Sequence, residues 1–366
     1  MTFSLIISTT ILKVTALRFR SVMNTSNADK PLAGKIAVVA GATRGAGRGI
    51  ATMLGDAGAT VVCTGRSTRG NPVNAGRPET IEETAELVTA VGGVGVAIRV
   101  DHTVADEVRA LFDRVERDFP RLDILVNDIW GGDELTEWGR PFWKLDPTKG
   151  LQMQQLAVQT HILTARFGAP MMVRQKSGLI IEITDGMHLD YRGNLFYDLA
   201  KISAIRLAYA MAVELRRHNV VALALTPGFL RSEAMLDGFG VTEGNWRDAV
   251  AKNPDFAESE TPAYVGRAVV ALATDPNVAA KAGKVCSSWT LAREHGFRDT
   301  DGRQPDWGGY FERMVNGILD RGGPSNRDEQ LRVWSRYEQI RYDQEKTEEA
   351  ARLVAALNRA GVSILP

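Results

Sequence analysis

Short apolar runs alternate with amphipathic segments over residues 35–290, and this alternation constrains the fold more than any other feature of the chain. The first run, Ile36–Ala40, contains no polar residue, which is typical of a parallel strand buried on both faces of a sheet. Six further runs are predicted as strands, namely 60–64, 94–100, 123–127, 179–183, 220–225 and 284–286. Segments with apolar residues at helical spacing lie between them. The pattern predicts the α/β class, with a single domain built on a doubly wound parallel sheet.

The composition argues against several classes of protein. The 44 Lys and Arg residues balance the 44 Asp and Glu residues, so the chain has no excess positive charge for a nucleic-acid partner. Two cysteines, Cys63 and Cys286, are too few for a disulfide framework, which favours a reducing compartment such as the cytoplasm. The five histidines lack the spacing of metal ligands, so no metal site is predicted. The apolar run near the N-terminus is too short to span a bilayer.

Three segments stand apart from the alternating pattern. Residues 1–30 are predicted to be a leader without a folded role, or to precede a true start at Met23. Residues 229–260 carry aromatic residues among glycines and charges, and we expect either a lid over an apolar site or a helical insertion with a small core of its own. Residues 291–366 are predicted to form a C-terminal helical extension, in which the charged run 327–359 is typical of a solvated helix face.

A glycine-rich segment follows the first predicted strand directly and opens a helix. It reads Gly41-Ala42-Thr43-Arg44-Gly45-Ala46-Gly47. Glycines let the chain turn sharply and approach a pyrophosphate closely, and the helix N-terminus offers free N–H groups to the phosphates. Placed between a strand and a helix, the segment predicts a dinucleotide site in a Rossmann fold. Residues 31–290 are therefore predicted to form a dinucleotide-binding catalytic domain.

The residues beside the adenosine end of such a site indicate which dinucleotide binds. An unphosphorylated ribose would be read by an acidic residue at the end of the second strand, but this chain has Arg66 there and Arg44 in the glycine segment. Guanidinium groups make charge-assisted hydrogen bonds to a phosphate, so NADP(H) is favoured over NAD(H). Asp101, after the third strand, is expected either to accept a hydrogen bond from the adenine amine or to cap the helix near Val104.

Tyr197 and Lys201 lie four residues apart after the fifth predicted strand. On a helix this spacing puts both side chains on one face, and the ammonium is expected to lower the pKa of the phenol from about 10 toward working pH. Such a phenol exchanges a proton with a carbonyl or alcohol oxygen. Tyr342 and Lys346 have the same spacing in the charged C-terminal run, so the position after a strand, rather than the spacing, favours the first pair.

Taken together and in order, these motifs resemble the short-chain dehydrogenase/reductase family over residues 35–290. The resemblance implies that Tyr197 is the acid/base and that Lys201 holds the nicotinamide ribose and tunes the phenol. It also implies cofactor contacts by Asn127, Pro227 and Gly228. The segment 284–303 is similar to the branch of the family called dehydrogenase/reductase member 1.

The chain departs from the family pattern around the expected reaction centre. Asn127 is followed by Asp128, so the second Asn of the family motif is missing, and Trp130 falls near the expected nicotinamide. The helix Asn that holds a relay water in the family corresponds to Ala157. Gln155 or Gln159 could take its place.

The family's catalytic Ser corresponds to Asp185, and an ionised carboxylate there would oppose the oxyanion that develops on a carbonyl. Either Thr184 supplies the hydroxyl instead, or Asp185 stays protonated and donates a hydrogen bond. We expect Thr184, because it needs no large pKa shift. Thr184→Val should then cripple turnover, and Asp185→Asn should be tolerated.

The sequence therefore predicts an NADP(H)-dependent oxidoreductase that moves a hydride between nicotinamide and a small-molecule carbonyl or alcohol. One alternative is a non-catalytic NADP(H)-binding regulator or scaffold, because the usual Ser and Asn are missing. Another is an epimerase or dehydratase that uses the same site. The resemblance implies a homodimer or homotetramer.

Overall fold

A seven-stranded parallel sheet forms the centre of the computed structural model, which describes residues 30–73, 77–188, 190–340 and 347–360. The strands are β1 (Ile36–Ala40), β2 (Thr60–Gly65), β3 (Val94–Arg99), β4 (Ile124–Asn127), β5 (Gly178–Ile183), β6 (Val220–Thr226) and β7 (Val285–Ser287). Their order is β3-β2-β1-β4-β5-β6-β7, and all neighbours are parallel. This topology confirms the predicted fold class. Its strands are continuous apolar runs, and such strands are buried only when helices cover both faces of the sheet.

Helices cover both faces of the sheet and continue beyond it. They are α1 (Gly45–Asp56), α2 (Ile81–Ala90), α3 (Ala105–Asp118), α4 (Pro147–Gln154), α5 (Thr160–Gln175), α6 (Leu195–Leu215), α7 (Glu233–Phe239), α8 (Pro262–Thr274), α9 (Ser288–His295), α10 (Trp307–Asp320), α11 (Arg327–Ile340) and α12 (Thr347–Arg359). One core joins α1, α2 and α8 to the sheet, and the other joins α3, α5 and α6 to the opposite face. A π-helical segment, Gln155–Gln159, connects α4 to α5 around Ala157.

The insertion at residues 229–260 has a small core of its own. Val241, Trp246, Ala249 and Phe256 are buried together there. Other side chains of the same segment, including Phe229 and Met235, face the cleft described below. The buried core fits the expected helical insertion, whereas the cleft-facing side chains fit the expected lid.

The C-terminal helices α10, α11 and α12 bury a third core. It consists of Val315, Ile318, Leu319, Val333, Ile340, Leu353, Ala356 and Leu357. Within the described parts of the run 327–359, Val333, Ile340 and Leu353 pack inward and Arg336 is 9% exposed, so the run is not a uniformly solvated face. Of the predicted leader at residues 1–30, the structure describes only Lys30, whose ammonium donates hydrogen bonds to the backbone oxygens of Asp56 and Val91, so this residue takes part in the fold. Residues 1–29 and the second Tyr–Lys spacing at 342–346 lie outside the described residues. Among the described helices, none has both the length and the hydropathy to cross a membrane.

Candidate active site

A cleft of about 1840 Å³ opens at the carboxyl ends of the strands. Residues that immediately follow or end five strands line it: Gly41, Gly65, Asp128, Thr184 and Pro227. This is the edge at which doubly wound sheets bind ligands, because the chain reverses there and leaves a crevice between neighbouring loops. Of the residues predicted from sequence to form the site, the cleft brings together Thr43, Arg44, Gly45, Arg66, Asp101, Asp185, Tyr197, Lys201 and Gly228 as well.

The glycine segment makes the tight turn that the sequence predicts. Gly41 has a φ of +90°, and a Cβ there would lie 2.3 Å from the carbonyl oxygen of Asp128. A Cβ on Gly47 would lie 2.3 Å from the oxygen of Gly41, so Gly47 serves the packing of the turn and does not itself line the cleft. The N-terminus of α1, at Gly45, therefore lies at the cleft.

A carboxylate already contacts that helix N-terminus. The N–H of Gly45 donates a 2.8 Å hydrogen bond to Glu233 Oε2, and Glu233 also lies 3.7 Å from the guanidinium of Arg48. Glu233 begins α7 in the insertion, where the Ser232 side chain caps the helix. This contact could not be predicted from the sequence, because Glu233 is 188 positions away from Gly45 in the chain.

Two unpaired guanidinium groups border the adenosine end of the cleft. Within the residues that the structure describes, neither Arg44 nor Arg66 forms an ion pair with a carboxylate. Asp101 lies close enough to Arg66 for its charge to act on the carboxyl. Burial by itself would raise the pKa of Asp101, but hydrogen bonds from Thr103 and the charge of Arg66 lower this pKa below its ordinary value. Asp101 thus stabilises the turn before α3 through Thr103 and also faces the cleft.

Asn127 is not among the cleft-lining residues. Its side chain is fully buried and donates a 2.7 Å hydrogen bond to Glu182 Oε1, while the other oxygen of Glu182 lies 2.6 Å from Nδ1 of His161. Burial by itself would lower the pKa of His161, but the carboxylate of Glu182 raises it. This buried triad was not predicted from the sequence, and it has no local sequence signature.

Tyr197 and Asp185 meet directly in the cleft. The phenolic hydroxyl donates a 2.7 Å hydrogen bond to Asp185 Oδ2. Thr184, the residue that we expected to act, is 3% exposed and donates its hydroxyl to the backbone oxygen of Lys201 at 2.7 Å. The helix backbone therefore occupies the Thr184 hydroxyl, and the polar group presented to Tyr197 is the carboxyl of Asp185.

The electrostatics of Tyr197 differ from the expectation. Burial raises the pKa of the phenol well above 10, and the negative charge of Asp185 adds to the effect. Burial also lowers the pKa of Lys201. The expected lowering of the phenol pKa is not seen, because the Lys201 ammonium lies over the ring of Trp130, 3.9 Å from its centroid, and Asp185 is the group bonded to the phenol.

The C-terminal helices supply part of the cleft wall. Trp307 and Phe311 of α10 and Leu331 and Ser335 of α11 line it. The Ser335 hydroxyl hydrogen-bonds to Asp190 Oδ2 in the loop between β5 and α6. His188 and Tyr191 of that loop face the cleft as well. The sequence did not predict these contacts from α10 and α11.

One trio of metal-ligand residue types occurs among the described residues, outside the cleft: Asp275, Glu294 and His295. The ammonium of Lys281 lies 2.9 Å from Asp275 and 2.6 Å from Glu294. The trio is therefore an ion-paired surface cluster, and we assign no metal to it.

Comparison with known proteins agrees with this arrangement. The family model described as short chain dehydrogenase matches residues 35–238. Dehydrogenase/reductase SDR family member 1 from Mus musculus and its Homo sapiens counterpart are each 37% identical to the chain over 278 residues, which is 75% of this chain and 85% of each relative. A 3-oxoacyl-(acyl-carrier-protein) reductase from Synechocystis sp. is 29% identical over 254 residues, 68% of this chain and 92% of that protein.

Solved structures show the same fold. A short chain dehydrogenase from Mycobacterium thermoresistibile has a TM-score of 0.63 at 21% identity, covering 76% of this chain and 92% of that one. A hydroxysteroid dehydrogenase from Escherichia coli has a TM-score of 0.56 at 23% identity, covering 72% and 98%. The family match spans more than half of the sequence, and the chain belongs to the short-chain dehydrogenase/reductase family of oxidoreductases.

Proposed function

We propose that the protein is an NADP(H)-dependent carbonyl reductase in which Tyr197 is the proton donor. The observation that carries this proposal is the hydrogen bond between Tyr197 and Asp185 inside the cleft, beside the ammonium of Lys201. Because its pKa lies well above 10, the phenol is neutral at working pH, which is the form that can donate a proton to a carbonyl oxygen.

The residues of the cleft fit a phosphorylated dinucleotide. The side-chain-free turn at Gly41 and the N-terminus of α1 suit a pyrophosphate, which would displace the Glu233 carboxylate from the Gly45 N–H. Thr43 lies in the same turn. The guanidinium groups of Arg44 and Arg66 suit a 2′-phosphate, and Asp101 suits the adenine amine. Lys201, Pro227 and Gly228 would hold the nicotinamide end, where a bound NADPH supplies the hydride. Asn127 would support the nicotinamide end from the buried side of the sheet, through its hydrogen bond to Glu182.

Asp185 takes the place of the family's Ser in this proposal, and Thr184 has a supporting role. A carbonyl substrate would pack against Trp130 and Trp138, which line the cleft. Asp185 acts here as the neutral carboxylic acid, because only that form donates a hydrogen bond to a carbonyl oxygen. In that form Asp185 and Tyr197 both donate hydrogen bonds to the carbonyl oxygen. Tyr197 then transfers its proton to the developing alkoxide and receives the proton of Asp185. The pair ends as a phenol bonded to a carboxylate, with one proton lost to the product alcohol.

The remaining parts of the chain have supporting roles in the proposal. Residues 31–290 form the catalytic domain, segment 229–260 borders the cleft as a lid, and residues between 306 and 339 of the C-terminal extension complete the substrate side. Exposed apolar side chains on α6, namely Leu199, Tyr209 and Val213, support assembly as a homodimer or homotetramer. Location in the cytoplasm stays a prediction.

The experiment is a turnover assay with a panel of aldehydes and ketones, in which NADPH and NADH oxidation are followed separately. The proposal expects NADPH-dependent reduction of at least one apolar carbonyl compound. Tight NADPH binding without any turnover would instead favour a regulator. Isotope exchange into the substrate without net NADPH consumption would favour an epimerase or dehydratase.

A further inference from the structure

We propose that Trp130 is a positioning residue: its indole ring holds the Lys201 ammonium beside Tyr197. This inference rests on the proposed function, because it matters only if Tyr197 and Lys201 act on the reacting group. Neither the family motif nor the relatives' names assign a role to this side chain.

Trp130 contacts both members of the pair. The Lys201 nitrogen lies 3.9 Å from the centroid of the indole ring and 5.4 Å from the centroid of the Tyr197 ring. The rings of Trp130 and Tyr197 meet edge to face, with centroids 5.4 Å apart and an interplanar angle of 87°. An ammonium over an indole face is held electrostatically, most strongly where water is scarce. The indole is therefore the surface on which the pair is assembled.

The ring is itself fixed at its polar edge and beside its six-membered ring. Its Nε1–H donates a 2.6 Å hydrogen bond to Asp133 Oδ1. A Cβ on Gly132 would lie 2.5 Å from the indole ring, so only glycine leaves room for the ring in this orientation. The observed geometry thus depends on two neighbours within three residues of Trp130.

The backbone before Trp130 is anchored from the buried side of the sheet. His161 Nε2 lies 3.1 Å from the carbonyl oxygen of Ile129, and since a carbonyl only accepts, Nε2 carries a hydrogen. Nδ1 of the same ring is bound to Glu182 at 2.6 Å. His161 and Glu182 therefore fix the residue that precedes Trp130. This chain has Ala at position 157, so no side chain from that point of the helix can help to hold the lysine.

The test reads Lys201 without requiring turnover. Lysines are labelled competitively with acetic anhydride between pH 7.5 and 10.5, and the extent of labelling at Lys201 is measured by mass spectrometry. Trp130→Leu should lower the pKa of Lys201 by about one unit, the size of a desolvated cation–π interaction. Trp130→Phe keeps an aromatic face and should stay within a few tenths of a unit of the wild type.

Two further variants separate this effect from a general loosening of the cleft. Trp138→Leu removes an indole that packs on Tyr197 at 5.1 Å, and it should leave the Lys201 titration unchanged. Gly132→Ala displaces the Trp130 ring without altering its chemistry and should reproduce Trp130→Leu. In the turnover assay, Trp130→Leu should lower kcat about tenfold. An unchanged or raised Lys201 pKa in Trp130→Leu, equal shifts in the two Leu variants, or an unchanged kcat would overturn the inference.

Discussion

The hydroxyl of Tyr197 donates its hydrogen bond to Asp185 Oδ2 at 2.7 Å, at the position where members of this family are expected to carry a serine hydroxyl. A carboxyl group differs from a hydroxyl in having two protonation states. Only the acid form can donate a hydrogen bond to a carbonyl oxygen, and the ionised form raises the pKa of the phenol, in addition to burial. The reaction should therefore depend on pH in a way that a serine enzyme's reaction does not.

We expect the kcat for carbonyl reduction by the Asp185–Tyr197 pair to fall as pH rises. The reason is that reduction uses the pair with both protons in place. Asp185→Asn donates a hydrogen bond at every pH, so it should retain kcat within about tenfold and lose this fall. Steady-state kinetics between pH 5.5 and 9, corrected for the acid decomposition of NADPH, measure the effect. A wild-type kcat that rises with pH would contradict the mechanism.

Comparison of Asp185→Ala with Thr184→Val tests which residue serves the substrate oxygen. Removal of a hydrogen-bond donor to a developing oxyanion lowers kcat by roughly 10² to 10³ fold, and we expect this loss for Asp185→Ala. Thr184→Val loses only the bond to the Lys201 carbonyl and should cost less than tenfold. The opposite ranking would restore the expectation drawn from sequence.

Arg66→Ala should weaken NADPH binding by roughly 10- to 100-fold and leave NADH binding nearly unchanged, because a hydrogen bond to a charged group contributes about 1.5–3 kcal/mol. Arg69→Ala is the control, since Arg69 lies in the same loop but pairs with Glu86 at 2.6 Å. Titration by NADPH fluorescence at low salt gives both affinities. Equal losses for the two cofactors would refute a 2′-phosphate contact.

Glu233→Gln should tighten NADPH binding roughly tenfold. In the free protein the Glu233 carboxylate accepts from the Gly45 N–H, so a phosphate at this helix N-terminus has to displace it. Glu83→Gln is matched to it, because Glu83 also pairs with Arg48, at 2.8 Å, but does not contact Gly45. If the two variants bind NADPH equally, Glu233 does not compete with the phosphates.

Ser335→Ala should raise the KM for the carbonyl substrate several-fold with kcat and the Kd for NADPH unchanged. The variant removes the bond from α11 to Asp190, which holds the C-terminal helices against the substrate side of the cleft. Such a change removes binding that is equal in the ground and transition states. Ser325→Ala, which removes an exposed bond to Glu329 at the start of α11, serves as the control. A change in kcat alone would contradict this role.

The sheet could be predicted from the sequence because each strand is a short apolar run that can be recognised without knowledge of its partners. All seven predicted strands match the observed ones to within one residue at each end, and the glycine segment lies where the strand–turn–helix pattern requires. Boundaries set by caps were harder to predict. The second helix, for example, begins at Ile81, where the Thr80 side chain accepts from the Glu83 N–H and sets the first turn.

The departures from prediction depend on contacts between distant parts of the chain. Proximity of Lys201 to Tyr197 was correctly inferred from spacing, but the direction of the phenol pKa depends on burial and on Asp185. The preference for Thr184 rested on chemistry alone and took no account of the Lys201 carbonyl, to which the Thr184 hydroxyl donates a hydrogen bond. The contact between Glu233 and Gly45 likewise becomes visible only when the chain is folded.

The most direct test of the account is the kcat of Tyr197→Phe with NADPH and the best carbonyl compound of the panel, measured together with the Kd for NADPH. Loss of a general acid costs about 10² to 10⁴ fold, and we predict a fall in kcat of that size. The Kd for NADPH should remain within a few-fold of the wild type, because the phenol is not among the groups proposed to bind the phosphates. A Tyr197→Phe protein that reduces the carbonyl compound at the wild-type rate would contradict the account.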